Sequence, residues 1–182
     1  GNFVKKKDKN KKEIKVPLNI YYCKKCKLVQ VKDSINPEIL FKAYNYSSSP
    51  IPYLNEHISS YSKKIKKKFK KNKKVKLLEF GCNDGILLDQ FNKNNKFFCI
   101  GVEPSKNISN IAKKKGLNIV NDYFNKKTSS ELLKKYGKFD YITGSNVFAH
   151  IDNIHSVVEA SKILLKDKGS LVIEVHYILD LI

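Results

Sequence analysis

Apolar residues fall into two alternating patterns from Val75 onward. Short runs of consecutive apolar residues, typical of buried parallel strands, alternate with segments in which apolar residues recur every three or four positions, typical of amphipathic helices. The predicted strands cover residues 75–80, 97–102, 117–120, 139–143 and 170–175, and the predicted helices cover 84–93, 105–115, 128–136 and 152–165. This alternation predicts an α/β domain with a parallel sheet, helices on both faces, and a ligand site at the carboxyl ends of the strands.

The region before this domain carries a different pattern. Residues 16–22 predict a short strand that runs into a tight turn flanked by Cys23 and Cys26, the geometry of a metal-binding knuckle. A connector is predicted over 33–49, and an amphipathic helix over 53–71 because apolar residues recur there at spacings of three and four.

These patterns predict two parts of unequal size. Residues 1–49 are expected to form a partial cysteine-rich, zinc-ribbon-like module with its connector, and residues 50–182 the main domain. The sequence contains no methionine and is mostly apolar over 171–182, which indicates a fragment whose main domain is truncated at the C-terminus. No apolar run approaches the roughly 18 residues of a membrane span. No apolar signal region precedes the domain either, so a cytoplasmic location is expected.

The formal net charge of +19 raises nucleic-acid binding as an alternative function. All 36 basic residues are lysine, however, and the planar fork of arginine is the better reader of guanine and phosphate. Abundant lysine, asparagine and isoleucine also fit an AT-rich genome. A lysine-rich nucleic-acid-binding protein, or an RNA methyltransferase with a zinc-ribbon module, is therefore the second interpretation, and it predicts a steep loss of affinity with salt.

The segment most informative about chemistry runs from Leu77 to Leu88, where a buried strand breaks into a tight turn that opens a helix. Gly81 and Gly85 let the backbone approach a ligand closely, and Asn83 tolerates left-handed backbone geometry. Glu103 ends the following strand, near the spacing of about 20 residues at which an acid grips ribose hydroxyls. Loop and acid together predict a nucleotide-sized ligand.

The charges of the turn select among such ligands. A loop that binds pyrophosphate needs free backbone amides without nearby negative charge, whereas this turn contains Asp84 and follows Glu79. Carboxylates repel phosphate but suit a ligand with a sulfonium and an ammonium group. The turn therefore favours S-adenosylmethionine over a dinucleotide.

The sequence resembles the sugar C-methyltransferase family, whose members join an N-terminal zinc-binding module to a class I S-adenosylmethionine-dependent methyltransferase domain. The matching stretches are residues 23–30, 44–49, 79–85, 101–107 and 145–151, together with Glu174 and Tyr177. The resemblance implies a Rossmann-like class I fold of which the first five strands are present. It also implies methylation of a ring carbon of a nucleotide-linked keto-deoxysugar: a base removes the proton beside the ketone, and the enolate attacks the methyl group.

The resemblance also implies roles for particular residues. Glu79, Gly81, Asn83, Asp84 and Gly85 would surround the methionine part of the donor, and Glu103 with Pro104 would hold its ribose. Asp122, Tyr123 and Phe124 would flank the adenine, although Phe124 also fits a core position. Tyr46 and Ser48 would close over the amino-acid end of the donor, while Asn146 and His150 would line the floor where the methyl group meets the sugar.

Two departures from the family pattern limit these expectations. The family has two cysteine pairs for its structural zinc, whereas this chain has only Cys23 and Cys26 outside the main domain, so its site is incomplete. The family's Tyr-His-Glu-His segment, which supplies the proton-abstracting histidine, is expected beyond residue 182. We therefore expect the fragment to bind its donor as a monomer and to turn over poorly, and a catalytically inactive donor-binding scaffold is a third interpretation.

Overall fold

The computed structural model describes residues 6, 9, 10, 15–41 and 44–177, and the apolar stretch at 178–182 lies outside them. The chain divides into two compact units, residues 1–45 and 46–182. This division falls four residues before the predicted boundary, so the segment 46–49 belongs to the larger unit. In the part of the chain that is described, no helix combines the length and the apolar character needed to cross a membrane.

The smaller unit contains a short hairpin. Strand β1 (Ile20–Tyr22) pairs antiparallel with β2 (Val29–Val31), with Tyr21 opposite Gln30, and helix α1 (Pro37–Phe41) follows. The sequence predicted β1 but neither β2 nor α1, because elements of three and five residues carry little periodic signal.

The larger unit is built on a five-stranded parallel sheet. Its strands are β3 (Val75–Phe80), β4 (Phe97–Val102), β5 (Ile119–Val120), β6 (Phe139–Ser145) and β7 (Leu165–Glu174), in the spatial order β5-β4-β3-β6-β7. All four pairings are parallel, which confirms the predicted sheet. The order reverses between β3 and β6, so the topological switch point lies at the carboxyl end of β3, where ligands of such sheets bind.

Five α-helices of this unit accompany the sheet among the described residues. They are α2 (Pro52–Lys68), α3 (Ile86–Asp89), α4 (Lys106–Lys114), α5 (Lys126–Tyr136) and α6 (Ile154–Leu164), and a 3-10 helix (Phe148–His150) follows β6. Helix boundaries agree with the prediction within three residues except at α3, where the predicted helix over 84–93 is wrong in length. The chain tightens there, because the amides of Gln90, Phe91 and Asn92 bond to carbonyls only three residues back.

Apolar side chains cover both faces of the sheet. One face packs Leu77 and Tyr141 against α2, α3 and α4, and the other packs Phe80 and Ile142 against α5 and α6. Because both faces are covered by helices, polar side chains gather at the ends of the strands, and those at the carboxyl ends meet at the switch point.

Candidate functional site

The turn after β3 adopts the left-handed backbone geometry that its composition predicted. Gly81, Asn83 and Gly85 have φ angles of +62°, +50° and +77°. A Cβ atom at Gly81 would lie 2.5 Å from Cγ2 and 2.8 Å from Cβ of Val147, so this position requires glycine on steric as well as conformational grounds. At Gly85 the nearest atom is the end of the Leu117 side chain at 2.3 Å, so the positive φ angle is the main reason for glycine there. The turn is therefore fixed tightly against the loops on either side of it.

Asn83 and Glu103 join the carboxyl ends of β3 and β4. The Asn83 amide donates to Oε2 of Glu103 at 3.0 Å, and the Ser105 amide donates to Oε1 at 2.9 Å. The side-chain amide of Asn83 donates to the Tyr46 carbonyl at 3.1 Å, while its Oδ1 accepts from the Ser48 amide at 3.0 Å. Asn83 thus ties the predicted ribose acid to the segment that the resemblance placed over the donor.

Asp84 is held by the segment 47–49. Its Oδ2 accepts from the Ser47 hydroxyl at 2.6 Å and from the Ser49 amide at 3.0 Å, and Lys115 Nζ lies 3.6 Å from the same oxygen. Burial raises the pKa of the Asp84 carboxyl, but the hydrogen bonds from Ser47 and Ser49 and the charge of Lys115 outweigh it and hold that pKa below its ordinary value. Asp84 is therefore a buried carboxylate that stays ionised.

Three carboxyl groups converge on this turn. Burial raises the pKa of Glu79 well above its ordinary range, and the nearby Glu103 and Asp84 raise it further. Burial also raises the pKa of Glu103, against the lowering effect of the amides of Ser105 and Asn83. Oε2 of Glu79 and Oδ1 of Asp84 are buried and have no hydrogen-bond partner among the described residues.

Such an arrangement fits a cationic ligand. Buried oxygens without partners are costly, and a positive group that donates hydrogen bonds to them or lies close enough to balance their charge compensates that cost. Asp84, which stays ionised, would repel a pyrophosphate. The donor set therefore fits a sulfonium and ammonium compound, which agrees with the prediction made from the residues of the turn.

The residues predicted to flank an adenine are placed by the start of α5. Asp122 accepts from the Tyr123 amide at 2.7 Å and from the Thr128 hydroxyl at 3.0 Å, so its carboxylate supports the first turn of that helix. Phe124 stacks on Phe80 with ring centroids 5.0 Å apart and is 8% exposed, which makes it part of the core. The carbonyl of Pro104 accepts from the Asn121 side chain, which also bonds the Glu103 carbonyl.

The carboxyl ends of β6 and β7 form a second side of the site. Asn146 has a φ of +53°, is exposed, and donates its amide to the Glu174 carbonyl at 2.9 Å. His150 is exposed at the end of the 3-10 helix. The hydroxyl of Ser145 is buried and has no partner within the described residues. This region therefore presents Asn146 and His150 at the surface beside the switch point.

Helix α2 contributes polar side chains that sequence reasoning missed. Nε2 of His57 lies 2.7 Å from Oε1 of Glu174, and the Tyr61 hydroxyl lies 2.9 Å from that of Tyr141 and 2.8 Å from that of Thr143. Burial raises the pKa of Tyr61, and the hydrogen bonds from Thr143 and Tyr141 lower it only in part. Glu174 was one of the positions that match the resembled family. The sequence did not indicate a functional role for the α2 residues, because they fit the pattern of an ordinary amphipathic helix.

Cys23 and Cys26 lie in the smaller unit, in the knuckle turn that the sequence predicted. The Cys26 amide points at the Cys23 sulfur at 3.5 Å, and the Cys23 amide donates to the Leu28 carbonyl at 2.9 Å. The Cys26 amide lowers the pKa of the Cys23 thiol, which favours the thiolate that binds metal. No group of three or more His, Cys, Asp and Glu able to hold a metal ion occurs in the described part of the chain, and a structural zinc needs four ligands where this pair offers two.

Sequence profiles of two families match this chain. The family described as a methyltransferase domain matches residues 53–180, and the family described as a putative zinc binding domain matches residues 1–41.

Two curated relatives align with the chain over different lengths. The C-methyltransferase NovU of Streptomyces niveus is 26% identical over 182 residues, which is 100% of this chain and 43% of that protein. The ubiquinone biosynthesis O-methyltransferase of Pelagibacter ubique is 32% identical over 130 residues, which is 69% of this chain and 52% of that protein. The chain thus spans about half the length of the curated relatives that it matches.

Solved structures share the fold of the larger unit. An S-adenosylmethionine-dependent methyltransferase from Clostridium acetobutylicum superposes with a TM-score of 0.51 at 23% identity, covering 65% of this chain and 50% of that one. The plantazolicin methyltransferase BamL, solved with S-adenosylhomocysteine, gives a TM-score of 0.50 at 21% identity over 64% of this chain and 43% of that one. These likenesses confirm the class I, Rossmann-like methyltransferase fold.

Proposed function

The chain belongs to the methyltransferase domain family, and from that premise we propose that it is the donor-binding part of an S-adenosylmethionine-dependent C-methyltransferase acting on a nucleotide-linked keto-deoxysugar. The observation that carries the donor assignment is the cluster of Glu79, Asp84 and Glu103 at the switch point, with two buried oxygens that lack partners among the described residues. A cationic ligand satisfies this cluster, and a phosphate does not.

Asp84 and Glu103 bind different parts of the donor in this proposal. Asp84 offers its unpartnered Oδ1 to the ammonium group of the donor, while its Oδ2 is held by the segment 47–49. Glu103, aligned by the amides of Asn83 and Ser105, accepts hydrogen bonds from the ribose hydroxyls. When bound, S-adenosylmethionine supplies an electrophilic methyl group on its sulfonium.

The remaining predicted residues complete the proposed site. Tyr46 and Ser48 cover the amino-acid end of the donor from the segment that bonds to Asn83. Pro104, Asp122 and Tyr123 would flank the adenine, while Phe124 belongs to the core. Gly81 and Gly85 keep the turn close enough for backbone contact with the donor.

Methylation at carbon is supported by the extent of the relatives' alignments. The match to the C-methyltransferase NovU covers 100% of this chain and therefore includes the cysteine knuckle, whereas the match to the O-methyltransferase covers 69%. On the acceptor side, Asn146 and His150 stand at the carboxyl end of β6, where they would orient the sugar for attack on the methyl group. Cys23 and Cys26 would hold a structural zinc together with two further ligands.

Calorimetric titration tests the donor assignment directly. The chain is titrated with S-adenosylmethionine and S-adenosylhomocysteine, and the variants Asp84→Ala and Glu103→Ala are compared with Asp89→Ala. Asp89 is an exposed carboxylate five residues after Asp84 and is a matched control. We expect micromolar binding that both site variants lose and the control keeps, while the absence of binding by a folded wild-type chain would refute the proposal.

A further inference from the structure

Lys115 contacts the proposed donor site, although it belongs to none of the sequence motifs described above. It follows the last residue of α4 and is the third residue in a run of three lysines, where the sequence suggests only a solvated helix end. Its side chain is 28% exposed, so most of it is covered. A lysine beside this site is unexpected, because the ligand proposed for the site is itself positively charged and the two charges repel each other.

The ammonium group of Lys115 bridges two segments that are far apart in sequence. Nζ donates to the Ser49 hydroxyl at 2.8 Å and to the Asp84 carbonyl at 2.8 Å, and it lies 3.6 Å from Oδ2 of Asp84. The Ser47 hydroxyl and the Ser49 amide bond the same Oδ2. All these contacts leave Oδ1 of Asp84 unpartnered among the described residues.

We infer that Lys115 is a positioning residue of the donor site: it fixes Asp84 and Ser49 relative to each other so that Oδ1 of Asp84 remains available to the ammonium group of the donor. This inference rests on the proposed function. The contacts of Lys115 described above are to Ser49 and Asp84, so its contribution to donor binding is made through Asp84 and through the segment 47–49.

Two physical effects of Lys115 predict opposite results. If simple repulsion between Lys115 and the donor dominated, removal of the ammonium group would tighten binding, and more so for the sulfonium compound than for its neutral thioether product. If positioning dominates, removal weakens both ligands by the same factor, since both carry the same amino-acid group. The two ligands together therefore separate the effects.

The experiment titrates the chain calorimetrically with S-adenosylmethionine and with S-adenosylhomocysteine at fixed ionic strength. The variants are Lys115→Met, Lys115→Arg, Ser49→Ala and the double variant Lys115→Met with Ser49→Ala, and the control is Lys114→Met. Lys114 is exposed and adjacent, so its replacement removes the same charge without breaking the bridge. Thermal unfolding of each variant checks that it is folded.

We expect Lys115→Met to weaken both ligands about tenfold, the effect of losing a hydrogen bond to a charged group, and Lys115→Arg to recover part of that loss. Ser49→Ala should cause a smaller loss, and the double variant should be less impaired than the product of the single effects, because both changes break one bridge. If Lys115→Met does not fold, Ser49→Ala and Lys115→Arg test the same bridge.

Three outcomes would overturn the inference. Wild-type affinity in Lys115→Met, or tighter binding of either ligand, would overturn it while leaving the proposed function intact. Absence of binding by the folded wild-type chain would overturn the proposed function and this inference with it.

Discussion

Replacement of Gly144 by alanine tests the close packing beneath the proposed site. Gly144 lies in β6, and a Cβ atom there would stand 2.4 Å from two carbons of the Phe80 ring and 2.8 Å from a third. The ring has little room to retreat, because it is 1% exposed and stacks on Phe124 at 5.0 Å with planes 9° apart. One added methyl group therefore overlaps a ring that is buried and stacked on a second ring.

The magnitude follows from this overlap. Overpacking of a well-filled core costs about 1–3 kcal/mol, and we expect the upper half of that range, because the overlap involves three ring atoms at once. Donor binding should weaken as well, since Phe80 directly precedes the turn at Gly81 and Gly144 directly precedes Ser145. Both loops of the site move if the ring moves.

Urea unfolding of a double-mutant cycle measures the overlap. Phe80→Leu removes part of the ring, so Gly144→Ala should cost markedly less in the Phe80→Leu background than in the wild type, with a coupling of about 0.5–3 kcal/mol. Additive losses of unfolding free energy would refute the reasoning, because they would show that the alanine methyl group does not contact the ring.

Three further predictions concern groups around the core and the knuckle. Glu79→Gln should be more stable than the wild type, and increasingly so as the pH rises above about 4.5, because burial raises the pKa of Glu79. The wild type then loses stability as the pH rises through that raised value, whereas the glutamine variant does not. Urea midpoints at pH 5 and pH 8 check this, and a smaller difference between variant and wild type at pH 8 than at pH 5 would contradict it. Asp140→Ala should destabilise the chain by about 1–2 kcal/mol in urea unfolding, and Lys166→Ala by less than about 1 kcal/mol. The two differ because Asp140 also accepts a hydrogen bond from the Lys76 amide at 2.8 Å, whereas Lys166 contributes only an exposed ion pair to Asp140. Equal losses of unfolding free energy would contradict this. Cys23 should be alkylated by iodoacetamide at neutral pH well before Cys82, because the Cys26 amide lowers the pKa of Cys23 while burial raises that of Cys82. Mass spectrometry of the modified peptides gives the order of alkylation, and the reverse order would contradict the knuckle geometry.

Local patterns in the sequence were enough to predict the sheet and the turn after β3. The apolar runs predicted both ends of four of the five strands of the large sheet to within two residues, because a strand buried on both faces must be apolar throughout. Gly81 and Gly85 predicted a turn that a ligand can approach closely, Asn83 indicated its left-handed backbone geometry, and Asp84 with Glu79 predicted its charge. These features are determined by residues close together in the chain.

Tertiary structure alone decided which side chains hold these groups in place. Lys115 meets Asp84 across 31 residues, Ser49 meets it across 35, and His57 meets Glu174 from a helix in another part of the chain. None of these residues differs in type or spacing from an ordinary solvated helix or loop position. The sequence alone determined the carboxylates and the turn because backbone conformation and burial are local preferences, whereas hydrogen-bond partners were decided only when the parallel sheet brought distant segments to one edge.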